Sequence, residues 1–179
     1  MLTYAAPKNI HQWATLFALY YRTFPQAERK RLSTIVKMYR RGGVDVWYFT
    51  HNTSFAGFAI TLNGDDHILL DYLAVNPKHR GSGIGTEILQ MLRRHYQPRS
   101  IFLEIESAFD PGPHQPVRLR RRHFYEKCGM TSMDLFVWLF GIKMELMSFG
   151  SKMTYEEYVS FYRDYYGQWS ISHIQKAEK

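Results

Sequence analysis

The sequence predicts a mixed α/β fold, a mostly antiparallel central sheet flanked by helices, in a single domain over residues 1–179. Three observations carry this. Amphipathic stretches alternate with short β-branched and aromatic runs in the order helix, helix, strands, helix, strand, helix, strands, helix. Three early runs follow one another across tight turns, which is the pattern of an antiparallel meander, not of parallel strands joined by helices. With 179 residues and 45% hydrophobic content the chain can bury a full core, and no Pro/Gly/Ser-rich linker divides it.

Ile10, Trp13, Ala14, Phe17, Tyr20, Tyr21 and Phe24 recur at helical spacing and stop before Pro25, predicting a first helix over 10–24. Residues 27–40 predict a second, closed by Gly42 and Gly43. Runs over 44–50 and 55–62, split by His51-Asn-Thr-Ser54, read as a hairpin, and Asn63-Gly64 turns the chain into a strand over 68–75. That strand is apolar on both faces except at Asp71, which marks it as central with an acid in an unusual place. A helix over 87–95 follows. The next strand, 100–106, sets Ile101, Leu103 and Ile105 on one face and Phe102, Glu104 and Glu106 on the other. Asp110-Pro-Gly-Pro113 and Pro116 predict an irregular loop over 107–117, either a ligand cover or a plain surface insertion. Residues 118–128 predict a helix closed by Gly129, and 135–149 a hairpin around Gly141. Thr154 and Glu157 form a capping box that opens a C-terminal helical extension over about 154–166. Its stripe of Tyr155, Tyr158, Phe161, Tyr162 and Tyr165 reads as packing.

The formal charge of +7, from 23 Lys+Arg against 16 Asp+Glu, favours a polyanionic partner. A polyanionic small molecule would satisfy this charge as well, so nucleic acid stays an unfavoured alternative. The clusters Arg29–Arg31, Arg40–Arg41, and Arg118 with Arg120–Arg122 read first as solvated faces. The single cysteine, Cys128, excludes an intrachain disulfide and a cysteine-based metal cluster, and reads as a small residue at a helix end. His79, His95, His114 and His123 have no metal-like spacing, so no metal site is expected. No apolar run is long enough for a membrane span and the N-terminus lacks a signal pattern, so a soluble, cytoplasmic protein without a membrane partner is expected.

Chemistry concentrates in residues 70–86, where an apolar strand passes through Gly81, Gly83 and Gly85 into a helix. Glycines there let backbone approach a ligand, a helix start offers unpaired N–H groups to phosphate, and Arg80 adds a cation. A P-loop string is absent. A dinucleotide fingerprint fails because Thr86 stands where its third glycine belongs, although Glu104 lies about where a ribose-binding acid would. Arg80-Gly-Ser-Gly-Ile-Gly85 fits an Arg/Gln-x-x-Gly-x-Gly/Ala signature instead.

This signature follows Leu73-Ala-Val-Asn-Pro77 and precedes, by about forty residues, His123-Phe-Tyr-Glu-Lys-Cys-Gly-Met130. Together these strings resemble the GCN5-related N-acetyltransferase (GNAT) superfamily over roughly residues 66–148. The resemblance implies a GNAT-like acyl-CoA N-acyltransferase fold with acetyl-coenzyme A as cosubstrate. It implies that Arg80, Gly81, Ser82, Gly83, Ile84, Gly85 and Thr86 hold the pyrophosphate. The pantetheine arm would lie along backbone of Leu73, Ala74 and Val75, in a splay between the fourth and fifth strands, with the Leu73 N–H polarising the thioester carbonyl. Tyr125, in the Phe-Tyr-Glu-Lys segment, is implied as general acid, with an aromatic packing residue as the alternative. Asp71, Glu104 and Glu106 are the candidate bases, and arginine pairing is the structural alternative for either glutamate. Many members place an asparagine shortly after the fifth strand. Here the proline-rich loop intervenes, which suggests that the loop or the arginine-rich helix start takes over that contact.

The function expected is acetyl transfer to a primary amine of a small-molecule or peptide acceptor, cationic before it reacts, by direct attack. Two alternatives stand beside it, an acetyltransferase acting on RNA-borne or protein amines and a noncatalytic acyl-coenzyme A-binding module. A homodimer is compatible with either.

Overall fold

A computed structural model describes residues 1–179, Ala27 by its backbone alone. The chain runs β1 (Leu2–Ala5), α1 (Ile10–Thr23), α2 (Leu32–Arg40), β2 (Val44–His51), β3 (Ser54–Asn63), β4 (His67–Val75), α3 (Ile84–Tyr96), β5 (Ser100–Glu106), α4 (Gln115–Lys127), β6 (Thr131–Leu139), β7 (Ile142–Phe149), α5 (Tyr155–Tyr166), α6 (Gln168–Ile171) and β8 (Ile174–Ala177). The strands are hydrogen-bonded in the order β1-β2-β3-β4-β5-β7-β6-β8. The β4–β5 pair is parallel, and β1–β2, β2–β3, β5–β7, β6–β7 and β6–β8 are antiparallel. This is the mixed, mostly antiparallel α/β sheet that the sequence predicts. Two compact units divide the chain, Met1–Asn63 with Leu70–His95 and Gly64–Leu69 with Tyr96–Lys179.

In the first unit α1 is capped by Asn9, whose Oδ1 accepts from the Gln12 N–H at 3.0 Å, and it stops ahead of Pro25. It turns Leu16, Leu19 and Tyr20 inward, and the Tyr20 ring lies 4.9 Å from Tyr72 and 6.2 Å from Phe58. The β2–β3 hairpin closes through Asn52 and Thr53 at φ 48° and 67°, the left-handed pair that matches the strand twist. Three features differ from the sequence reading. β1 is unforeseen: it pairs with β2 from Leu2↔His51 onward, and with Leu2 as its one buried residue it shows no alternation to detect. Helix α2 starts at Leu32, not 27, because Gln26–Glu28 forms a single 3₁₀ turn and the residues after it are held by tertiary hydrogen bonds described below. Helix α3 begins at Ile84, a turn earlier than the apolar pattern suggested.

In the second unit the start of β4 pairs with β5 through His67↔Ser100, Ile68↔Ile101 and Leu69↔Phe102. The chain enters β4 by Gly64-Asp65-Asp66, longer than the two-residue turn expected. Gly64 is required there, since a Cβ would stand 2.6 Å from the His67 carbonyl oxygen and 2.7 Å from the Phe161 ring. Helix α4 starts at Gln115, so the predicted loop ends earlier. Pro116 sits in its first turn, where a missing N–H costs nothing. Strand β6 begins at Thr131, ahead of the expected 135, because a register shift between Ser132 and Phe136 around Asp134 (φ 56°) hides its start. The C-terminal residues add α6 and an unforeseen β8 that pairs with β6. Phe102, Val137, Leu146, Met147 and Tyr158 are buried in this unit. Among the described residues no helix is long and apolar enough to cross a membrane.

Candidate active site

The glycine turn lies in the first unit, immediately after β4. Asn76 anchors it, receiving the Lys78 N–H on Oδ1 at 3.2 Å and donating from Nδ2 to the Phe55 carbonyl at 2.9 Å. Pro77–His79 makes one 3₁₀ turn, and Gly81 and Gly83 follow at φ 77° and 85°, where a side chain is strained. Positions where their Cβ atoms would project are open, with nothing within 4 Å. Helix α3 starts directly behind them, with the Glu87 N–H bonded to the Gly83 carbonyl at 3.1 Å and buried Ile84 fixing its first turn in the core. Arg80 is exposed, and its Nε donates to the Val75 carbonyl at 3.2 Å, which aligns the guanidinium with the end of β4. The result is an exposed concentration of N–H groups at a helix start beside a fixed cation, and pyrophosphate fits that donor set. Upstream, Ala74 is buried while Leu73 and Val75 are half-buried. Gly57 of β3 admits this strand closely, since a Cβ on it would stand 2.4 Å from the Ala74 oxygen.

Asp71, also in the first unit, is not an uncommitted acid. Lys30 Nζ donates to its two carboxylate oxygens at 2.6 and 2.7 Å and lies over the Tyr72 ring at 5.2 Å. The Tyr72 hydroxyl donates to the Glu28 carbonyl at 2.7 Å and accepts the Lys30 N–H at 3.2 Å, and the Tyr20 hydroxyl donates to the Lys30 carbonyl at 3.2 Å. These bonds explain why residues 28–30 leave the helical path. Lys30→Ala should therefore destabilise the protein toward the low end of the ~3–5 kcal/mol that follows removal of one partner of a buried ion pair. The Lys30→Met, Asp71→Asn double variant should recover much of that loss in urea unfolding, because no buried charge is left over.

Glu104, Glu106 and Tyr125 lie in the second unit. Half-buried Glu104 accepts from Tyr158 at 2.6 Å on Oε1, and from Tyr162 at 2.8 Å on Oε1 and 3.0 Å on Oε2. Glu106 faces Arg118 and Arg121, each 3.8 Å away. Arginine pairing was one of the two readings for Glu106, expected from Arg118, Arg120 or Arg122, and the structure supplies Arg118 and, in place of the other two, Arg121; the phenol partners of Glu104 were not foreseen, because the α5 tyrosines read as packing. Their spacing of four residues toward one face was the available signal. Arg118 also donates to the Asp110 carbonyl at 2.6 Å, so this arginine at the start of α4 is engaged within the unit. Glu145 is a further missed group: it is fully buried on β7, with Oε2 2.9 Å from Arg122 Nε. It is a structural ion pair that a single acid in an apolar strand does not reveal.

Tyr125 sits in the last turn of α4, half-buried, its ring 5.2 Å from Phe124. Burial pushes its phenol up to about 12, with the Arg121 charge opposing. Cys128 is the buried C-cap residue of the helix and forms no disulfide. Burial also raises Tyr20, Tyr72 and Tyr158, the last further raised by the Glu104 charge. A phenol raised above its unfolded value contributes stability below that value, about 10, and loses it as pH climbs through the folded one. Urea midpoints should accordingly fall as pH rises beyond about 10, and a flat profile to pH 12 would contradict these shifts.

The geometry is shared by known proteins. A family model described as "Acetyltransferase (GNAT) family" matches residues 13–130. Among solved structures, a protein from Bacteroides thetaiotaomicron assigned to the GNAT family matches with TM-score 0.76 and 21% identity over 93% of this chain and 98% of that one. An aminoglycoside 6'-N-acetyltransferase complexed with coenzyme A matches with TM-score 0.67 and 16% identity, over 83% and 96% of the two chains. The Escherichia coli ribosomal-protein-S18-alanine N-acetyltransferase matches with TM-score 0.57 and 17% identity, over 87% and 97%. At such identities these likenesses speak to fold alone. No curated protein matches. The family model covers well over half of the 179 residues, and the chain belongs to the GNAT acetyltransferase family.

Proposed function

We propose that this protein transfers an acetyl group from acetyl-coenzyme A to a primary amine by direct attack, without a covalent enzyme intermediate. The observation that carries the reading is the Arg80–Thr86 turn, where two left-handed glycines leave open space in front of a helix start. Family membership supplies the reaction class. The similar structures include enzymes named for a small-molecule acceptor and for a protein alanine, which supports an acceptor of either kind.

When bound, the cosubstrate supplies an activated acetyl thioester. Arg80 and the N–H groups from Gly81 to Thr86 hold its pyrophosphate, and backbone of Leu73, Ala74 and Val75 holds the pantetheine arm. The Leu73 N–H donates to the thioester carbonyl oxygen, where negative charge grows as nitrogen adds. Glu104, directly or through a water, first takes a proton from the acceptor's ammonium so that a neutral amine attacks, and the second proton, which the nitrogen gives up as the amide bond forms, passes to solvent. Tyr125 gives its phenol proton to sulfur as the carbon–sulfur bond breaks. Solvent then restores the proton to Tyr125 and removes it from Glu104, leaving amide and free thiol as products.

Among the three acids, Asp71 serves Lys30 and Glu106 serves two arginines. The hydroxyls of Tyr158 and Tyr162 donate to Glu104 and favour its ionised form, which supports an acceptor that arrives as an ammonium. The test is release of coenzyme A thiol from acetyl-coenzyme A across a panel of polyamines, aminoglycosides, amino-terminal peptides and RNA. Turnover confined to cationic primary amines is expected. Tight cofactor binding without turnover on any of them would instead identify a noncatalytic acyl-coenzyme A-binding module.

A further inference from the structure

Helix α5 is set by its capping box, in which the Thr154 side chain receives the Glu157 N–H and the Glu157 side chain receives the Thr154 N–H. Its inward face carries Tyr158, Phe161 and Tyr162, all buried. Phe161 and Tyr158 rest edge-on against Phe102 of β5, at 5.3 and 6.4 Å between ring centroids. Those contacts need rings and no hydroxyls. Two phenol hydroxyls nevertheless converge on the Glu104 carboxylate, at 2.6 Å from Tyr158 and at 2.8 and 3.0 Å from Tyr162. Tyr158 and Tyr162 stand one helical turn apart with rings 4.9 Å from each other, so the pair presents its donors side by side. Burying hydroxyls and a carboxylate is costly unless they satisfy one another, and phenylalanine at either position would pack as well.

We propose that Tyr158 and Tyr162 are positioning residues for Glu104, holding its carboxylate ionised and in one orientation so that it meets the acceptor's ammonium as a fixed negative charge. The inference rests on the assignment of Glu104 to the acceptor amine. It makes α5, beyond residues 13–130 that the family model covers, part of the acetyl-transfer machinery. Short O–H···O⁻ bonds of this kind are charge-assisted and favour the ionised acceptor. Tyr158 remains a donor throughout the physiological range, because burial and then the Glu104 charge push its phenol well above the usual value. Other titratable groups are placed around this one. Tyr166 follows on α5 and adds to the shift of Tyr158. Glu106 lies two residues along β5 and is covered by Arg118 and Arg121 from α4. Across the sheet on β7, Leu146 stands opposite Glu104 and carries no charge.

The experiment compares the full chain with Tyr158→Phe, Tyr162→Phe and the double variant, in which every ring is kept and only hydroxyls are lost. Two readouts are needed. Carbon-13 NMR titration of the Glu104 carboxyl, assigned with Glu104→Gln, follows the carboxylate without any turnover. Rate against pH on the best amine of the panel follows its use. Losing both donors should raise the Glu104 titration and move the acid limb of kcat/KM upward, so that kcat/KM falls about tenfold for each pH unit of that movement. KM for acetyl-coenzyme A should stay as it was. If the double variant is too unstable, the two single variants answer the same question with smaller movements. An unmoved Glu104 titration overturns the proposal and leaves the tyrosines as packing. A titration that moves while the rate profile does not also overturns it, and Glu104→Gln locates the fault: full turnover there means Glu104 itself was misassigned, whereas lost turnover means the tyrosines do not matter to its work.

Discussion

Tyr125→Phe is expected to lower kcat for acetyl transfer by about 10²-fold or more while leaving acetyl-coenzyme A affinity nearly unchanged, the usual size of a lost general acid. The substitution keeps the ring beside Phe124 and removes only the proton. The phenol is suited to the role: burial pushes it up to about 12, so it is protonated at neutral pH and available as thiolate charge appears beside it. The same shift fixes a sign. A raised acid keeps its active, protonated form to higher pH, so Tyr125 should impose no alkaline fall in kcat until the pH passes the ordinary tyrosine value of about 10. Steady-state rates with saturating cosubstrate, combined with calorimetric binding, check both statements. Undiminished turnover in Tyr125→Phe would reduce Tyr125 to a packing residue.

The parts of this molecule that were legible in its sequence are those written in local pattern. Periodicity marks α1 and α5, β-branched runs mark β2 to β5, and the Arg80–Thr86 turn announces itself by glycine spacing before any coordinate is known. What was not legible is set by partners distant in the chain. β1 and β8 are four-residue strands that exist because β2 and β6 offer them an edge, and neither carries an alternation of its own. Lys30 appeared as one of three consecutive cations, and only the fold shows that it alone is drawn onto Asp71. The same holds for the tyrosine stripe of α5. Its spacing correctly gave a buried face, but hydrophobic periodicity counts rings and is blind to where two hydroxyls end. Asp71, Glu104 and Glu106 stood in the sequence as three candidates for one role. The structure gives each a different chemistry, an ammonium for Asp71, guanidinium groups for Glu106 and phenols for Glu104.

Gly83→Asp should weaken acetyl-coenzyme A binding by about 10²-fold or more, since one unit charge at ~4 Å from another is worth several kcal/mol near a protein surface. Taken alone the variant is ambiguous, because Gly83 has φ 85° and any side chain there is strained. Gly83→Asn resolves this. Asparagine tolerates left-handed backbone about as well as aspartate, has nearly the same volume, and carries no charge. Both would project into the same space, where no atom stands within 4 Å of the Cβ position, so the fold should tolerate either at similar cost. Strain is thus common to the pair, and the difference between them isolates electrostatic repulsion of the pyrophosphate. Calorimetry should find asparagine intermediate and aspartate weakest, with the gap narrowing as salt is raised. Wild-type affinity in both folded variants would remove the turn from the binding site. Equal losses in both would show that side-chain volume or strain, not anion recognition, explains the glycine.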